Sequence, residues 1–428
     1  MVAPFRLDAR SAVTPAAPDG PSPAPRRRRR RRRGRLVVVL VLVLVAAGLA
    51  VVRLRRPSPI AAVTTAMTTT ARTASGPAIA LPWPSSGQSA IAVPSIGVDM
   101  PSGPEQPVPI ASLTKMMTAY VILRDHPLGV LDDGPTVTMT QTDVDDFGAD
   151  TVNDEANAQV ALGEVLTERQ LLDGLLVHSA NNFADTLARW DAGTIPAFVA
   201  KMNQAAAQLG MTQTHYADPS GFDQASQSTA SDLLKVAGPD MGNPTFAAIV
   251  KMPSTTLPVA GTISTYTPLL GYQGVMGVKS GFTTAAGGCD VVAVIREAHG
   301  HPALILSAVT GQTGPDVLGQ AGFIALNLAN HVGTSIGATT VVHAGEVVAH
   351  VGVDGHSVAA TAASSADVLT WPGVAAHRIL VEGPTVSAGA SRGTRVGSVV
   401  VELGTQHLVV PVRLHRHLAR PTMLQRLF

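Results

Sequence analysis

Seventeen uncharged and almost wholly apolar residues, Leu36 to Val52, follow a run of eight arginines, Arg26 to Arg33, and Arg35. As a helix this stretch is about 26 Å long, at the short end of what spans a bilayer. The arginines ahead of it outnumber Arg53, Arg55 and Arg56 behind it, so the N-terminus is expected to stay cytoplasmic and the rest to lie outside. Small residues at Ala46, Ala47 and Ala50 leave a cleaved leader as the alternative, but no cleavage site stands out and the run is longer than a usual leader core. An uncleaved anchor is the expectation. In isolation the arginine run would also fit a nuclear-localisation or nucleic-acid patch.

Charge separates these readings. Residues 1–56 hold 14 of the 31 basic residues and two acids, Asp8 and Asp19, leaving 17 basic against 28 acidic residues, a net of −11, in the remainder. The folded part therefore lacks the basic surface that nucleic-acid binding requires. Cys289 is the only cysteine, so an intrachain disulfide is excluded.

At 428 residues and 46% hydrophobic content, the chain has room for two or three cored domains. Residues 1–35 read as a disordered, Pro/Ala- and Arg-rich cytoplasmic tail, and 36–52 as the transmembrane helix. Residues 53–84, rich in Thr, Ala, Ser and Pro, read as a flexible stalk. A first domain is expected over 85–335. In it Ser89–Val93 reads as a strand, and apolar spacing at Leu113, Met116, Met117, Tyr120 and Val121 predicts a helix from Ala111 to about Arg124. Thr167 to Gln170 fits a capping box ahead of a helix with Leu171, Leu172, Leu175 and Leu176 as its buried stripe. Further helices are expected around Phe183 and Leu187, and from Ile195 to Leu209. Val275–Lys279, Asp290–Arg296 and Ala303–Thr310 read as strands, the last two joined by a hairpin turn at Ala298–His301, with a helix from Pro315 to Ala329. Strands among helices imply an α/β layered domain whose last strands pair antiparallel. From residue 336 to 428, short Val-rich runs punctuated by Gly predict a small all-β domain.

Ser112 and Lys115 stand one turn apart on the expected helix, close enough for the amine to reach the hydroxyl. Ser112 also falls in the first turn, where free N–H groups favour a developing negative charge. Serine beside an amine base is a nucleophile suited to acyl transfer. Ser179-Ala180-Asn181 lies in a connector between helices, and Lys279-Ser280-Gly281 ends a strand, its glycine permitting close approach. Only five lysines occur against 26 arginines, and two of them occupy Lys115 and Lys279. Arginine cannot serve as a base near neutral pH, which gives a chemical reason for lysine at 115.

S-x-x-K, S-x-N and K-[TS]-G in this order are the signature of penicillin-binding proteins and serine β-lactamases. The surroundings of Ser112, together with Leu171–Ala184, Gly210–Phe222 and Gly277–Gly288, resemble the serine D-alanyl-D-alanine carboxypeptidases. The resemblance covers about residues 85–332, and Ala390–Gly404 is loosely similar to the β-domain that follows in that family. It implies a β-lactamase/transpeptidase-like domain, an antiparallel sheet flanked by helices plus a helical subdomain, with no cofactor and no metal. Ser112 would form an acyl-enzyme, Lys115 would accept its proton, Ser179 would pass a proton to the departing D-alanine, and Asn181 would hold Lys115 and the substrate. Lys279 and Ser280 would bind the terminal carboxylate, Gly281 would let the strand approach, and the N–H groups of Ser112 and Phe282 would form the oxyanion hole. The implied partners are the peptidoglycan stem pentapeptide, β-lactam antibiotics and, through the anchor, the membrane. Ser280 stands where threonine is usual, Asn182 where aspartate is common, and Phe282 brings an aromatic to the pocket. The alternatives are a D,D-endopeptidase or β-lactamase on the same scaffold, the latter disfavoured by the lack of a recognisable deacylating glutamate motif, or a penicillin-binding sensor without turnover.

Other signals read as structural. Gly333-Thr334-Ser335-Ile336-Gly337 matches the G-x-S-x-G elbow, which needs a strand before it and a helix after, the reverse of the order expected here. His178, Cys289 and the pairs His299/His301 and His415/His417 are expected to be structural or exposed, and Asp143, Asp145 and Asp146 to sit in a solvated loop.

Overall fold

The computed structural model describes residues 27–67, 69, 72–73 and 79–427. Helix α1, Arg27–Leu54, contains a stretch from Gly34 to Leu54 that is long and apolar enough to cross a membrane and packs into no core. Of the tail expected over 1–35, residues 1–26 lie outside the described residues, while 27–35 are not irregular but helical, continuous with the apolar stretch in α1.

The first domain is built on a five-stranded antiparallel sheet in the order Val275–Thr283, Gly287–Ala298, His301–Gln312, Gln88–Val93, Val98–Pro101. Alternation along the strands divides two cores. Val291, Ala293, Leu306 and Ala308 face one cluster; Val292, Val294, Ile305 and Val309 face the other. Both faces are apolar, so both must be covered. The His299-Gly300 turn joining two of these strands has positive φ at both residues, as a two-residue hairpin demands.

The first core is covered by helices. A 3₁₀ turn, Ala111–Leu113, leads into α2, Thr114–Asp125, followed by α3, Gln141–Val152, α4, Glu168–Val177, α5, Asn181–Ala192, and α6, Ile195–Gln208. Helix α7, Ala230–Gly242, and the short α8, Pro244–Ile249, complete this side. The expected capping box is present: Thr167 accepts from Gln170 N while the Gln170 side chain accepts from Thr167 N. Helix α9, Val317–Ser335, covers the opposite face through Ala321, Ala325, Leu328 and Ala329. It runs six residues past its expected end. Gly333 to Ser335 therefore form its last turn, with the Thr334 and Ser335 hydroxyls donating to the His331 carbonyl, and no elbow exists.

Helix α3 corrects the expected acidic loop. Asp143 caps it by accepting from Thr140 N at 2.8 Å, and also accepts from Thr186 Oγ1 at 2.7 Å and Arg189 at 2.8 Å. Arg189 reaches Asp146 at 2.6 Å as well, so the cluster ties α3 to α5.

A second correction concerns residues 53–84. Ala62–Thr65 pairs with Gly352–Ala349 at one edge of a seven-stranded sheet, and Arg72–Thr73 pairs with Ala376–Ala375 at the other. Ala61 and Met67 are buried beside it. A stretch of Thr and Ala has little apolar signal of its own, but an edge strand needs only backbone partners. The remaining strands, Val347–Val353, His356–Ala362, Gln406–Leu414, Arg395–Leu403 and Ala375–Glu382, come from the C-terminal region, where Gly337–Val342 and Ala366–Thr370 form a further pair. The α9 face and this sheet share one apolar core. The two regions also meet where Gln406 Nε2 donates to Ser95 O at 2.7 Å and Thr405 N to Pro94 O at 3.0 Å.

Candidate active site

Ala111 holds a φ of +49°, a left-handed conformation that costs a non-glycine residue about 1–3 kcal/mol. This kink starts the 3₁₀ turn that presents Ser112 ahead of α2. One turn on, Lys115 is fully buried, and its Nζ donates to Ser112 Oγ at 3.0 Å, to Asn181 Oδ1 at 2.5 Å and to the Ser220 carbonyl at 2.8 Å. Three acceptors satisfy the three donors an ammonium has. Burial nonetheless pushes Lys115 down to about 8, against the pull of Asp218, Asp185, Asp150 and Glu155.

Asn181 opens α5. Its Oδ1 accepts from Lys115 while its Nδ2 donates to Glu155 Oε2 at 2.6 Å, so both ends of the amide are held. Ser179, two residues earlier, also has a left-handed φ of +60° and is nearly buried. Neighbouring Asn182 exchanges two hydrogen bonds with the Ala158 backbone, a role an aspartate could fill only in part because it has no N–H to donate. His178 donates through Nδ1 to the Ser264 carbonyl at 2.8 Å and stacks on Tyr266, a structural role.

The strand Val275–Thr283 supplies the opposite wall. A Cβ on Gly281 would lie 2.7 Å from Ser112 N, so only glycine lets this strand come against the Ser112 backbone. Lys279 is buried; its Nζ donates to the Ser280 carbonyl at 2.7 Å. Burial and the nearby Lys115 charge push it down to about 7, with Asp290 acting the other way. Asp290 is itself pushed up to about 8 by burial. Ser280 Oγ donates to the Tyr266 carbonyl at 3.0 Å, and Phe282 stands half exposed at the rim.

Ser112, Ser179, Ser280, Gly281 and Phe282 line one groove of about 280 Å³, together with Glu155, Tyr266 and Leu318. Lys115 and Asn181 adjoin it through hydrogen bonds to Ser112 and Glu155, and Lys279 sits behind Ser280. All eight residues expected from the sequence thus belong to one neighbourhood. Cys289 is buried in the core, its thiol pushed up to about 12, and His299, His301, His415 and His417 are exposed.

Sequence reasoning missed the loop from Asp218 to Phe222. Asp218 Oδ2 accepts from Ser220 N and Oγ, Gly221 N and Phe222 N, folding the loop so that the Ser220 carbonyl meets Lys115. Gly221 has a φ of +82°, and a Cβ there would lie 1.9 Å from the Ala111 carbonyl. The sequence signals were the resemblance of Gly210–Phe222 to the carboxypeptidases and the Asp-Pro-Ser-Gly string, a turn composition, and neither assigned the loop a role.

Comparison with known proteins agrees with this geometry. Residues 99–310 match the profile of the D-alanyl-D-alanine carboxypeptidase family. Over 221 residues the chain is 37% identical to a D-alanyl-D-alanine carboxypeptidase of Mycobacterium tuberculosis, covering 50% of this chain and 71% of that one. The chain belongs to the D-alanyl-D-alanine carboxypeptidase family. A D-alanyl-D-alanine endopeptidase of Escherichia coli is 31% identical over 249 residues, covering 55% of this chain and 74% of the relative. Among solved structures, penicillin binding protein 5 from Haemophilus influenzae superposes with a TM-score of 0.56 at 19% identity, over 80% of this chain and all of that one. This likeness shows that the α/β fold is shared.

Proposed function

We propose that this chain is a membrane-anchored serine D-alanyl-D-alanine carboxypeptidase, removing the terminal D-alanine from peptidoglycan stem peptides through an acyl-enzyme on Ser112. The observation that carries the reading is the 3.0 Å contact between the buried Lys115 Nζ and the groove-lining Ser112 Oγ, in a member of this family. Lys115, lowered to about 8, reaches the neutral form far more readily than a surface lysine and takes the Ser112 proton. Ser112 Oγ then attacks the carbonyl between the two D-alanines. The resulting oxyanion is held by the Ser112 and Phe282 N–H groups, each donor worth about 3 kcal/mol. As the carbon–nitrogen bond breaks, Ser179 passes a proton to the departing amine. Water hydrolyses the ester and restores Ser112.

Lys279 and the Ser280 hydroxyl bind the substrate's terminal carboxylate, and that negative charge returns Lys279 to its ammonium form. Asn181, fixed by Glu155, holds Lys115 and the substrate peptide bond. β-Lactams acylate the same serine. Along the chain we assign 1–35 to a cytoplasmic tail, 36–52 to the membrane span, 85–335 to the catalytic domain and 336–428 to the β-rich domain, with the catalytic domain outside the cell membrane.

Intact-protein mass spectrometry after exposure to penicillin tests the nucleophile. One penicillin mass is expected on Ser112 and none on Ser112→Ala; an adduct surviving that substitution overturns the assignment. D-Alanine release from a pentapeptide tests the reaction. Lys279→Ala is expected to raise KM for carboxylate-ended peptides. Similarity to a protein named as an endopeptidase supports a second reading, in which crosslinked dimers are cut; their disappearance on incubation, without D-alanine release from pentapeptide, favours it.

A further inference from the structure

Asp290 is fully buried on the strand beside the one that carries Lys279 and Ser280, and it takes no part in the acyl transfer described above. Neither of its carboxyl oxygens has a hydrogen-bond partner among the described residues, the nearby Val291 N–H lying outside bonding geometry. Lys279 does not pair with it. That amine donates to the Ser280 carbonyl, and the strand register sets Lys279 opposite Val291, toward the core covered by α2 to α8. Asp290 shares the other face with Val292 and Val294. A buried acid without a partner costs stability, so its place beside the carboxylate-binding strand calls for a reason.

The register supplies one. Opposite Asp290 stands Ser280. Directly opposed residues of an antiparallel pair carry their side chains on one side of the sheet, with Cβ atoms about 5 Å apart. Rotation of these two short side chains brings a carboxyl oxygen within hydrogen-bond reach of Ser280 Oγ. Helix α9 leaves the room for it: a Cβ on Gly322 would lie 2.9 Å from Asp290 Oδ2. Ser280 lacks the second branch that stiffens threonine, so its hydroxyl turns freely.

Ser280 also needs such help. A hydroxyl has one proton to donate and two lone pairs to accept with. Here that proton is committed to the Tyr266 carbonyl at 3.0 Å, although Ser280 lines the groove where a substrate carboxylate would lie. Burial pushes Asp290 up to about 8, against the pull of Lys279, so near neutral pH it is an acid with a proton to give.

We propose that Asp290 is a positioning residue for the substrate's terminal carboxylate: its carboxylic acid donates to Ser280 Oγ from the α9 side, and the Ser280 hydroxyl turns its own proton from the Tyr266 carbonyl to the carboxylate in the groove. The inference rests on the carboxypeptidase reading and deepens it by naming what aims that hydroxyl. As a neutral acid, Asp290 adds a donor without setting a like charge against the substrate.

D-Alanine release from Nα,Nε-diacetyl-L-lysyl-D-alanyl-D-alanine, followed with the full chain near neutral pH, reads the effect. Asp290→Val is expected to raise KM about three- to tenfold and to leave kcat within about twofold. Asp290→Asn, whose amide donates as the acid does, is expected to keep KM near that of the unaltered protein. In a Ser280→Ala background, Asp290→Val is expected to add nothing, because the acid acts through that hydroxyl. An acid with a structural role alone would change the unfolding midpoint and not KM. Three results each overturn the assignment: an unchanged KM in Asp290→Val, an equal rise in Asp290→Asn, or effects additive with Ser280→Ala. D-Alanine release from the unaltered protein keeps the carboxypeptidase reading in all three. Without any release that reading falls, and Ser112 acylation by benzylpenicillin against its methyl ester, which lacks the carboxylate charge, decides the role of Asp290. A ratio lowered in Asp290→Val and kept in Asp290→Asn supports it; a ratio unchanged in both overturns it. The adduct mass on Ser112 reports that each variant is folded, and Asp290→Ala replaces Asp290→Val if the latter yields no adduct.

Discussion

The catalytic half and the C-terminal sheet are filled with similar apolar side chains but treat buried polarity differently. Beyond residue 336, Thr370, Arg378 and Ser398 are the buried polar or charged residues among those described. Arg378 is matched there by Glu346 at 2.7 Å and the Val341 carbonyl at 2.9 Å. The catalytic half instead buries Lys115, Lys279, Asp150 and Asp290, several of them displaced far from their ordinary ionisation range. An apolar sheet is enough to hold a fold. Desolvated ionisable groups detract from stability, so their concentration around Ser112 marks where chemistry outweighs packing.

The sharpest break of this comparison is Lys115→Arg. It keeps a charge but removes the base of the proposed mechanism, and penicillin acylation is expected to slow by roughly 10³-fold, measured by stopped-flow or mass spectrometry. Next, Leu414→Ala in the C-terminal core is expected to lower unfolding free energy by about 3 kcal/mol while leaving the acylation rate of folded protein unchanged. A matching loss of acylation would show that the two regions are not separable in this way. Met67→Ala is expected to cost about 2 kcal/mol by denaturant titration; a silent substitution would return this segment to a free stalk.

The smallest effect is the pH dependence. In the proposed mechanism Lys115 acts when neutral, so acylation is expected to rise about tenfold per pH unit and level off above about 8. The sign for stability follows from the same lowering. The native state binds fewer protons than the unfolded one between about 8 and 10.5, so the cost of burying Lys115 is full below that window and fades as pH climbs through it.

Much of this was legible in the sequence. The Ser112 helix, the capping box at Thr167 and the three long strands announced themselves by apolar period and turn chemistry, and the three short motifs gave seven of the eight candidate site residues, Phe282 coming from the family resemblance. Helix α3 was missed because its apolar face is reduced to Val144 and Phe147, both only partly buried; the Thr140–Asp143 cap was the available signal. Helix α7 carries Pro239 inside it, which disguises its periodicity. Left-handed Ala111 and Ser179, and the Ser220 carbonyl that holds Lys115, depend on tertiary contacts and leave no mark in residue type. Edge strands 62–65 and 72–73 escaped for a related reason: backbone pairing does not require a hydrophobic pattern.

That strand pairing sets a limit on reach. Seven residues separate Leu54, the end of the anchor helix, from Ala62, where the chain joins the C-terminal sheet. Fully extended they cover at most about 25 Å. With α1 in a bilayer, the β-rich domain is moored close to the lipid surface and acts as a pedestal of fixed height. On the proposed reading, the distance from the lipid at which Ser112 works is then set by the thickness of that pedestal, and lengthening the seven-residue segment would move that zone away from the lipid.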